Sequence, residues 1–157
     1  MEYVQVPGTD MLISRVALGT WAIGGWMWGG SDEKESIATI LAALDAGVTC
    51  IDTAPVYGFG RSEEIVGKAL KAYGHRDNIH VSTKVALAWH DGQVSRDASP
   101  KRIETEVEDS LRRLQIEAID IYFVHWPDDK IPLEETAAAL ERLRLSGKVR
   151  AIGVSNF

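Results

Sequence analysis

Residues 51–64 read IDTAPVYGFGRSEE and contain the transition on which the fold depends. The β-branched and apolar segment GVTCIDT (residues 47–53) predicts a buried strand that ends at the start of this stretch. A loop follows, with Asp52 at its beginning and Tyr57 within it. Ser62 is predicted to cap a helix that carries apolar side chains on one face. The stretch therefore predicts a strand, a loop and a helix in succession.

The same unit recurs along the chain. Four further apolar or β-branched segments predict strands: SRVALGT (14–20), NIHVSTKV (78–85), IDIYFVH (119–125) and KVRAIGVSN (148–156). The segments begin at intervals of roughly 30 to 40 residues, which is the spacing of strand–helix units in a parallel sheet. Helices are predicted between them. They begin at Asp32, at Ser99 before Pro100, and at about Leu133, from which the last helix runs to Ser146.

This alternation of strands and helices predicts an α/β fold in which helices cover a parallel sheet. Two architectures are consistent with it: an open, doubly wound sheet, or part of a (β/α)8 TIM barrel. A small β-hairpin is predicted before the first unit, because Pro7 and Gly8 suit a tight turn between short strands around Val4 and Leu12. The fifth predicted strand has no helix to cover it. Residues 1–157 are therefore expected to be a single, incomplete domain.

The composition argues against several classes of function. The chain has 17 basic and 23 acidic residues, a net charge of −6 and no basic run, which argues against nucleic acid or an anionic membrane as a partner. The sequence has no signal-peptide pattern and no run of about 18 apolar residues. The single cysteine, Cys50, lies in a strand segment that favours a buried free thiol. We therefore expect a cytoplasmic protein that binds a small molecule, and we predict no metal site.

Polar side chains collect where the predicted strands end. In parallel α/β folds these ends lie on one face, so side chains that follow different strands meet there. The candidates are Trp21, Asp52, Tyr57, Lys84, His125, Ser155 and Asn156. Each has an ordinary structural explanation when taken alone: Asp52 as a turn residue, Tyr57 as a packed loop aromatic, His125 as a structural histidine. Their joint placement favours a site, because Lys and Asp in a sheet interior are uncommon unless they are paired or functional.

This group of side chains suits proton donation to a carbonyl oxygen. A free tyrosine titrates at about pH 10, and a nearby Lys84 ammonium would lower the pKa of Tyr57 towards the working range. Asp52 would pair with Lys84 and keep it protonated, and neutral His125 would orient the substrate oxygen. No strong nucleophile lies beside a base, so a hydride would have to come from a nicotinamide cofactor.

The segment GFGRSE (58–63) offers a different explanation of the opening stretch, because it begins like the dinucleotide fingerprint G-x-G-x-x-G. Its third glycine position holds Glu63, and a carboxylate there would face a pyrophosphate at the helix N-terminus. Rossmann-type binding is therefore disfavoured. The glycines are expected to shape the loop so that Tyr57 points inward.

The five tryptophans provide a second signal, because all of them are predicted to lie in strand-to-helix loops on the same face as the polar group. Large aromatic rings at that place suit the wall of an apolar pocket. Trp21 and Trp126 are the first candidates for this wall, and Trp89 is a further one.

Five segments resemble the aldo-keto reductase family, in order and at the expected spacing, and most closely its general-stress members in bacteria: ALGTWAIGG (17–25), IDTAPVYGFGRSEEIVGKAL (51–70), VSTKV (81–85), IYFVHWPD (121–128) and GKVRAIGVSNF (147–157). The resemblance implies a (β/α)8 barrel that binds NADPH and reduces aldehydes or ketones to alcohols. With the predicted aromatic wall, it implies a small apolar or aromatic carbonyl substrate.

The resemblance also implies roles for individual residues. The implied catalytic tetrad, with Tyr57 as general acid, is Asp52, Tyr57, Lys84 and His125. The implied cofactor-binding residues are Thr20, Trp21, Asp52, Ser155 and Asn156, of which the last two would hydrogen-bond the nicotinamide carboxamide. The implied substrate-binding residues are Trp21, Tyr57, His125 and Trp126.

Members of this family are much longer than 157 residues, and the resemblance covers their N-terminal half. The other half is expected to hold strands six to eight and the loops that bind the pyrophosphate and the adenosine 2′-phosphate. The chain alone is therefore expected to bind NADPH weakly or not at all, and its exposed sheet edges are expected to be covered, for example by self-association. Two alternatives to an active reductase stay open: a non-catalytic module that senses the cofactor, and a structural half-barrel that works only after association.

Overall fold

The computed structural model describes residues 1–157 and contains nine strands and four α-helices. The strands are β1 (Tyr3–Gln5), β2 (Leu12–Ser14), β3 (Leu18–Gly19), β4 (Cys50–Asp52), β5 (His80–Val85), β6 (Leu87–His90), β7 (Gln93–Arg96), β8 (Ile119–Val124) and β9 (Val149–Val154). The helices are α1 (Glu33–Asp45), α2 (Arg61–Tyr73), α3 (Pro100–Leu114) and α4 (Leu133–Leu145). The longest helix, α3, has 15 residues, and none of the helices has the length and apolar character needed to cross a membrane.

Five strands form one parallel sheet in the order β3-β4-β5-β8-β9, which confirms the five strands predicted from the sequence. The spatial order follows the chain order throughout. A doubly wound sheet reverses its strand order at a switch point, so this sequential order identifies the barrel type of α/β fold. The predicted N-terminal hairpin is also confirmed, because β1 pairs with β2 in antiparallel orientation.

The four helices connect successive strands of this sheet, and each helix packs against the next, so that they cover one side of it. Two apolar clusters fill the space between helices and sheet. One includes Ile40 and Val81 under α1 and α2, and the other includes Ile103, Tyr122 and Leu140 under α3 and α4. Side chains alternate between the two sides of a strand. The strand residues next to these core residues therefore point to the side of the sheet that the helices do not cover, where polar groups can meet.

Two of the predicted helix caps are confirmed. The Asp32 side chain accepts the N–H of Glu35 at 2.8 Å, in front of α1. The Ser99 hydroxyl accepts the N–H of Arg102 at 3.3 Å, in front of α3. The prediction that Ser62 caps α2 is wrong, because Ser62 lies inside the first turn and no side chain caps this helix. Its hydroxyl is bonded to other parts of the fold instead.

A second hairpin, formed by β6 and β7, lies between β5 and α3, and the sequence analysis missed it. Asp91 and Gly92 form its turn with φ angles of 48° and 76°. An Asp-Gly pair in left-handed conformation is typical of a two-residue hairpin turn between alternating side chains. The segment WHDGQV (89–94) therefore contains a sequence signal for this hairpin.

A buried ion network joins α2, α3 and β5 on the helix side of the sheet. The carboxylate of Glu63 accepts hydrogen bonds from the Thr83 hydroxyl and from Nε of Arg113, both at 2.6 Å. The Arg113 guanidinium also binds Glu106, which pairs with Arg102. Burial raises the pKa of Glu63, and the Arg113 charge opposes this rise. We call Glu63, Arg113, Glu106 and Arg102 the helix-face network.

Candidate active site

An ion pair between two neighbouring strands forms the floor of the candidate site. Lys84 on β5 donates from Nζ to both carboxylate oxygens of Asp52, the last residue of β4, and to the carbonyl oxygen of Thr53, each at 2.8 Å. The Ser82 hydroxyl donates to Asp52 Oδ1 at 2.7 Å. An ammonium has three N–H groups, so all of those on Lys84 are engaged. Lys84 is buried, whereas 33% of the Asp52 side chain is exposed.

Two rings lie next to this ion pair. Tyr57 belongs to the loop between β4 and α2, and its ring centroid is 5.0 Å from Lys84 Nζ. His125 directly follows β8, and its ring meets the Tyr57 ring edge to face at 5.8 Å between centroids. The structure thus brings the four predicted catalytic side chains together at the carboxyl ends of three adjacent strands.

Both rings are neutral at neutral pH. Burial and, to a smaller extent, the Lys84 charge lower the pKa of His125 to about 4, so the imidazole is uncharged as expected. Burial raises the pKa of Tyr57 to about 12, and the Asp52 charge adds to the rise. The expectation that Lys84 lowers the pKa of Tyr57 is therefore wrong. Burial removes the phenol from water and so disfavours its charged form, and this effect outweighs the nearby ammonium.

A cavity of about 310 Å³ opens on these rings. Its lining is mainly apolar and consists of Trp21, Trp26, Val56, Tyr57, Leu87, Val94, His125, Trp126 and Asn156. The lining includes Trp21 and Trp126 but not Trp89, which packs against Phe59 with 5.7 Å between ring centroids. Small-molecule sites usually have volumes of about 300–1,000 Å³, so the cavity can hold a small ligand.

The β6–β7 hairpin supplies one wall of the cavity through Leu87 and Val94, which the sequence analysis did not select. Arg96 of the same hairpin lies over the Trp126 ring at 5.2 Å from its centroid and donates to the carbonyl oxygen of Pro127 at 3.1 Å. These two contacts anchor the hairpin to the segment that follows β8. Because the cavity wall depends on this hairpin, finding the Asp-Gly turn would also have found Leu87 and Val94.

A contact between two glycines fixes the Tyr57 loop. A Cβ atom on Gly24 would lie 2.5 Å from the Tyr57 carbonyl carbon, and one on Gly58 would overlap the Gly24 carbonyl oxygen. The loop after β3 therefore packs backbone to backbone against the Tyr57 loop. Trp21, from the same loop, stacks on Tyr57 at 6.1 Å between ring centroids.

The remaining predicted cofactor-binding residues lie on the same face with different exposure. Asn156 lines the cavity, and its Nδ2 donates to the carbonyl oxygen of His125 at 2.8 Å and to Ser155 Oγ at 2.9 Å. Ser155 is half-buried. Thr20 is completely buried, and its hydroxyl donates to the carbonyl oxygen of Asp52 at 2.9 Å. The Thr20 side chain therefore lies under the site and does not line the cavity.

Another cavity, of about 370 Å³, lies at the opposite ends of the strands, around Asp120. Three of its charged groups bind one another, because Asp120 accepts hydrogen bonds from Arg150 at 3.0 Å and from Arg76 at 3.3 Å. Asp120 also accepts the backbone N–H of Val81 at 2.9 Å. In TIM-barrel proteins the active site lies at the carboxyl ends of the strands. We therefore assign the candidate site to the cavity beside Tyr57 and His125.

The sequential parallel sheet with its polar carboxyl-end face defines a protein of the TIM-barrel type. Residues 15–157 match the model of the Aldo/keto reductase family, and the chain therefore belongs to this family. The match confirms the family that the sequence motifs indicate.

Named relatives share this sequence over nearly its whole length. The chain is 60% identical over 157 residues to aldo-keto reductase YhdN of Bacillus subtilis, with 100% of this chain and 47% of that protein covered. It is 44% identical over 171 residues to the NADH-specific methylglyoxal reductase of Escherichia coli, with 99% of this chain and 52% of that protein covered.

A solved structure agrees with this fold. The glycerol dehydrogenase of Gluconobacter oxydans matches with a TM-score of 0.91 and 55% identity, over 99% of this chain and 48% of that one. The chain thus spans about half the length of the relatives that it matches.

Proposed function

We propose that this chain carries the acid–base part of a nicotinamide-dependent reductase that converts aldehydes or ketones to alcohols, with Tyr57 as the proton donor. The observation that carries the proposal is the buried Lys84–Asp52 ion pair beside two neutral rings that line one apolar cavity. A neutral phenol and a neutral imidazole suit a carbonyl substrate, because both can donate a hydrogen bond to its oxygen.

Tyr57 has the right protonation state for this role. A pKa of about 12 keeps its proton in place at neutral pH until a substrate oxygen becomes basic enough to take it. Donation leaves a phenolate with Lys84 Nζ 5.0 Å from the ring centroid, so a positive charge is already in place to stabilise it. Burial lowers the pKa of Lys84, and the charge and hydrogen bonds of Asp52 oppose this lowering.

His125 has the complementary task. Its pKa of about 4 makes the ring an uncharged hydrogen-bond donor, which can orient a carbonyl oxygen without carrying the proton itself. The edge-to-face contact with Tyr57 directs both rings towards the same part of the cavity. Trp21 and Trp126 supply apolar walls, which supports a small apolar or aromatic carbonyl compound as substrate.

NADPH is the cofactor that we propose, and a bound reduced nicotinamide would supply the hydride. The donor set fits a carboxamide, because Ser155 Oγ and the Asn156 amide lie beside the cavity and can exchange hydrogen bonds with it. The Escherichia coli relative is named as NADH-specific, so assays should compare both cofactors. We expect residues 1–157 alone to bind the cofactor weakly, and the coverage of about half of each relative supports this expectation.

The test is cofactor oxidation with a reactive aromatic aldehyde, followed by the fall in absorbance of the reduced nicotinamide. Tyr57→Phe removes the proton donor and should lower the rate by about a hundredfold or more. Tyr73→Phe, on the half-buried end of α2, is the matched control and should keep the wild-type rate. Equal rates in wild type and Tyr57→Phe would show that Tyr57 is not the acid. No turnover in the wild type would favour the two alternatives to an active reductase, the cofactor-sensing module and the structural half-barrel.

We also propose that two copies of this chain associate through β9 and α4. β9 is an edge strand, and beside it lies a cavity of about 470 Å³ with an almost entirely apolar lining that includes Leu133, Ile152, Val154 and Phe157. These side chains are exposed, and an exposed apolar patch beside an unpaired strand edge favours association. A structural half-barrel that works only after association would use the same surface.

Sedimentation equilibrium tests the association. The wild type should show a mass that rises with concentration, and Val154→Lys should stay at the monomer mass. Leu145→Lys, at an exposed position outside this cavity, is the matched control and should behave like the wild type. A monomer mass for the wild type at all concentrations would contradict the proposal.

A cytoplasmic location is the last part of this proposal. Its support is Cys50, which is free and buried and whose pKa burial raises to about 11, so that it stays a thiol. Fractionation of cells that express the protein with an epitope tag would test it. Recovery of the tag outside the cytoplasmic fraction would contradict it.

A further inference from the structure

Three hydroxyl groups lie together under the candidate site, and none of them lines the cavity. They belong to Thr20, Thr53 and Ser62, and each of these residues is 0% exposed. Each comes from a different segment: Thr20 follows β3, Thr53 follows β4, and Ser62 lies in the first turn of α2. The cluster therefore joins three segments that surround the candidate site.

The donor and the acceptor of each hydrogen bond in this cluster can be assigned, because each hydroxyl has only one proton to donate. Thr20 Oγ1 lies 2.9 Å from the carbonyl oxygen of Asp52, which can only accept, so the single hydroxyl proton of Thr20 goes there. Ser62 Oγ lies 2.8 Å from Thr20 Oγ1 and 2.9 Å from the Thr20 carbonyl oxygen, so the Ser62 proton goes to Thr20. The Thr53 hydroxyl, 3.0 Å from Ser62 Oγ, is then the donor to Ser62. The bonds run from Thr53 through Ser62 and Thr20 to the backbone of Asp52.

Ser62 is the centre of this chain of bonds. Its backbone N–H donates to the carbonyl oxygen of Tyr57 at 3.1 Å, in addition to the bonds of its hydroxyl. The carbonyl oxygen of Thr53, one of its partners, accepts from Lys84 Nζ at 2.8 Å. Ser62 is therefore bonded directly to Tyr57 and is one residue removed from Asp52 and Lys84.

A serine at this position has an ordinary alternative, which another serine in the same chain displays. Ser36 is also buried in the first turn of a helix, and its hydroxyl donates to the carbonyl oxygen of Asp32, the residue before its own helix, at 2.7 Å. Ser62 makes no such local bond with its hydroxyl, and all of its hydroxyl partners come from other segments. The cluster consequently determines how the segments of the site are placed relative to one another.

We propose that Ser62 is a positioning residue for the reductase site, and that its hydroxyl acts through Thr20 and Thr53 without touching a ligand. This inference rests on the proposed function of Tyr57. It predicts that losing the Ser62 hydroxyl moves the Tyr57 ring and the Asp52–Lys84 pair relative to each other while the rest of the fold stays in place.

The first test uses a spectroscopic signal that does not depend on turnover. The chain is labelled with 3-fluorotyrosine, and fluorine NMR then reports on its four tyrosines, of which Tyr57 is identified by its loss in Tyr57→Phe. In Ser62→Ala the Tyr57 resonance should shift or broaden while that of Tyr3 stays unchanged. In Ser36→Ala all four resonances should stay unchanged. An unchanged Tyr57 resonance in folded Ser62→Ala overturns the proposal.

The second test measures steady-state kinetics of the same variants. Ser62→Ala should lower kcat by about ten- to a hundredfold with little change in KM, because misplacement of reacting groups lowers the chemical step. Ser36→Ala should keep the wild-type kcat. A wild-type kcat in Ser62→Ala overturns the proposal. If the wild type itself does not turn over, the proposed function fails, and the NMR comparison alone decides the positioning role.

If Ser62→Ala does not fold, the variant Thr53→Val takes its place in the NMR test. Valine retains the shape of threonine and removes only the hydroxyl that begins the chain of bonds, while the Thr53 carbonyl that holds Lys84 remains. The Tyr57 resonance should move in this variant too, by less than in Ser62→Ala. An unchanged Tyr57 resonance in Thr53→Val then overturns the proposal.

Discussion

The chain contains two buried clusters of carboxylates and cations that use the same chemistry in different surroundings. In the Asp52–Lys84 pair, 33% of the carboxylate side chain is exposed. In the helix-face network, the side chains of Glu63 and Glu106 are 0% and 2% exposed, and Arg113 lies between them. The first cluster can exchange contacts with a ligand or water, and the second is sealed between α2, α3 and β5.

This difference separates a functional from a structural use of charge. When a sealed network loses one partner, the remaining charge is buried without an opposite charge or water to stabilise it. Such losses lower the free energy of unfolding by about 3–5 kcal/mol. A partly exposed carboxylate can be rehydrated when its partner is removed, so the loss of the Asp52–Lys84 pair destabilises the fold less. Substitutions in the two clusters should therefore separate activity from stability.

The largest effect is expected from Lys84→Met. In the proposed mechanism this substitution removes the charge that would stabilise the Tyr57 phenolate, so turnover should fall by about 10²- to 10⁴-fold. The free energy of unfolding should fall less than in an Arg113 variant. Turnover and urea unfolding are measured on the same preparations. Lys68→Met, which removes an exposed lysine of α2 that pairs with Glu33, should change neither quantity noticeably. A stability loss larger than that of Arg113→Met would remove the distinction between the clusters.

Arg113→Met should have the largest effect on stability. It leaves Glu63 without a cation, and the free energy of unfolding should fall by about 3–5 kcal/mol in urea unfolding. Arg112→Met, at the exposed neighbouring position that pairs with Asp109, is the control and should change it by less than about 1 kcal/mol.

The pH dependence of Arg113→Met gives a further check. Burial raises the pKa of Glu63, and the variant lacks the charge that opposes this rise. A folded-state pKa above the unfolded value means that Glu63 binds more protons in the folded than in the unfolded chain. The contribution of Glu63 to the free energy of unfolding is therefore present at low pH and is lost as the pH rises through the folded-state pKa. Arg113→Met should thus regain part of its lost stability as the pH falls from 7 towards 5. A constant difference from the wild type would mean that Glu63 does not carry the effect.

The smallest effect is expected from His125, through the pH dependence of folding. Its folded-state pKa of about 4 lies below the usual value of 6.5, so the unfolded chain binds more protons between these values. Stability should therefore fall as the pH falls from 7 to 5, by about 1 kcal/mol after allowance for partial exposure of the ring. Urea unfolding of His125→Gln should lack this component, and His75→Gln, at an exposed position, should retain it. Identical pH profiles of His125→Gln and wild type would contradict the assignment.

The periodic parts of the fold were predictable because they depend on local patterns. Strand and helix periods, the caps at Asp32 and Ser99, and the N-terminal hairpin all follow from residues close together in the chain. The same patterns did not distinguish a barrel from a doubly wound sheet, because that choice depends on the order of strands in space. Ser62 was mistaken for a cap because its partners, Thr20 and Thr53, come from other segments.

The candidate site was predictable in its members but not in its electrostatics. Strand ends and family motifs both select Asp52, Tyr57, Lys84 and His125. The pKa of Tyr57 depends on burial and on distances to charges that no sequence pattern contains: burial raises this pKa, and the Asp52 charge acts in the same direction. The cavity wall from β6 and β7 was not predicted, because the Asp91–Gly92 turn lies in a strand-to-helix connection, where the repeating unit predicts no further strands.

The β6–β7 hairpin has a consequence for how the pocket can change. It forms a two-stranded sheet of its own, outside the hydrogen-bond ladder of the parallel sheet, and its turn is an Asp-Gly pair at the surface. Leu87 and Val94 can therefore be exchanged, or the hairpin lengthened, without altering any strand that carries the acid–base group. Under the proposed function, ligand preference and proton transfer would therefore depend on different segments of the chain, and the hairpin could be varied without changing the acid–base residues.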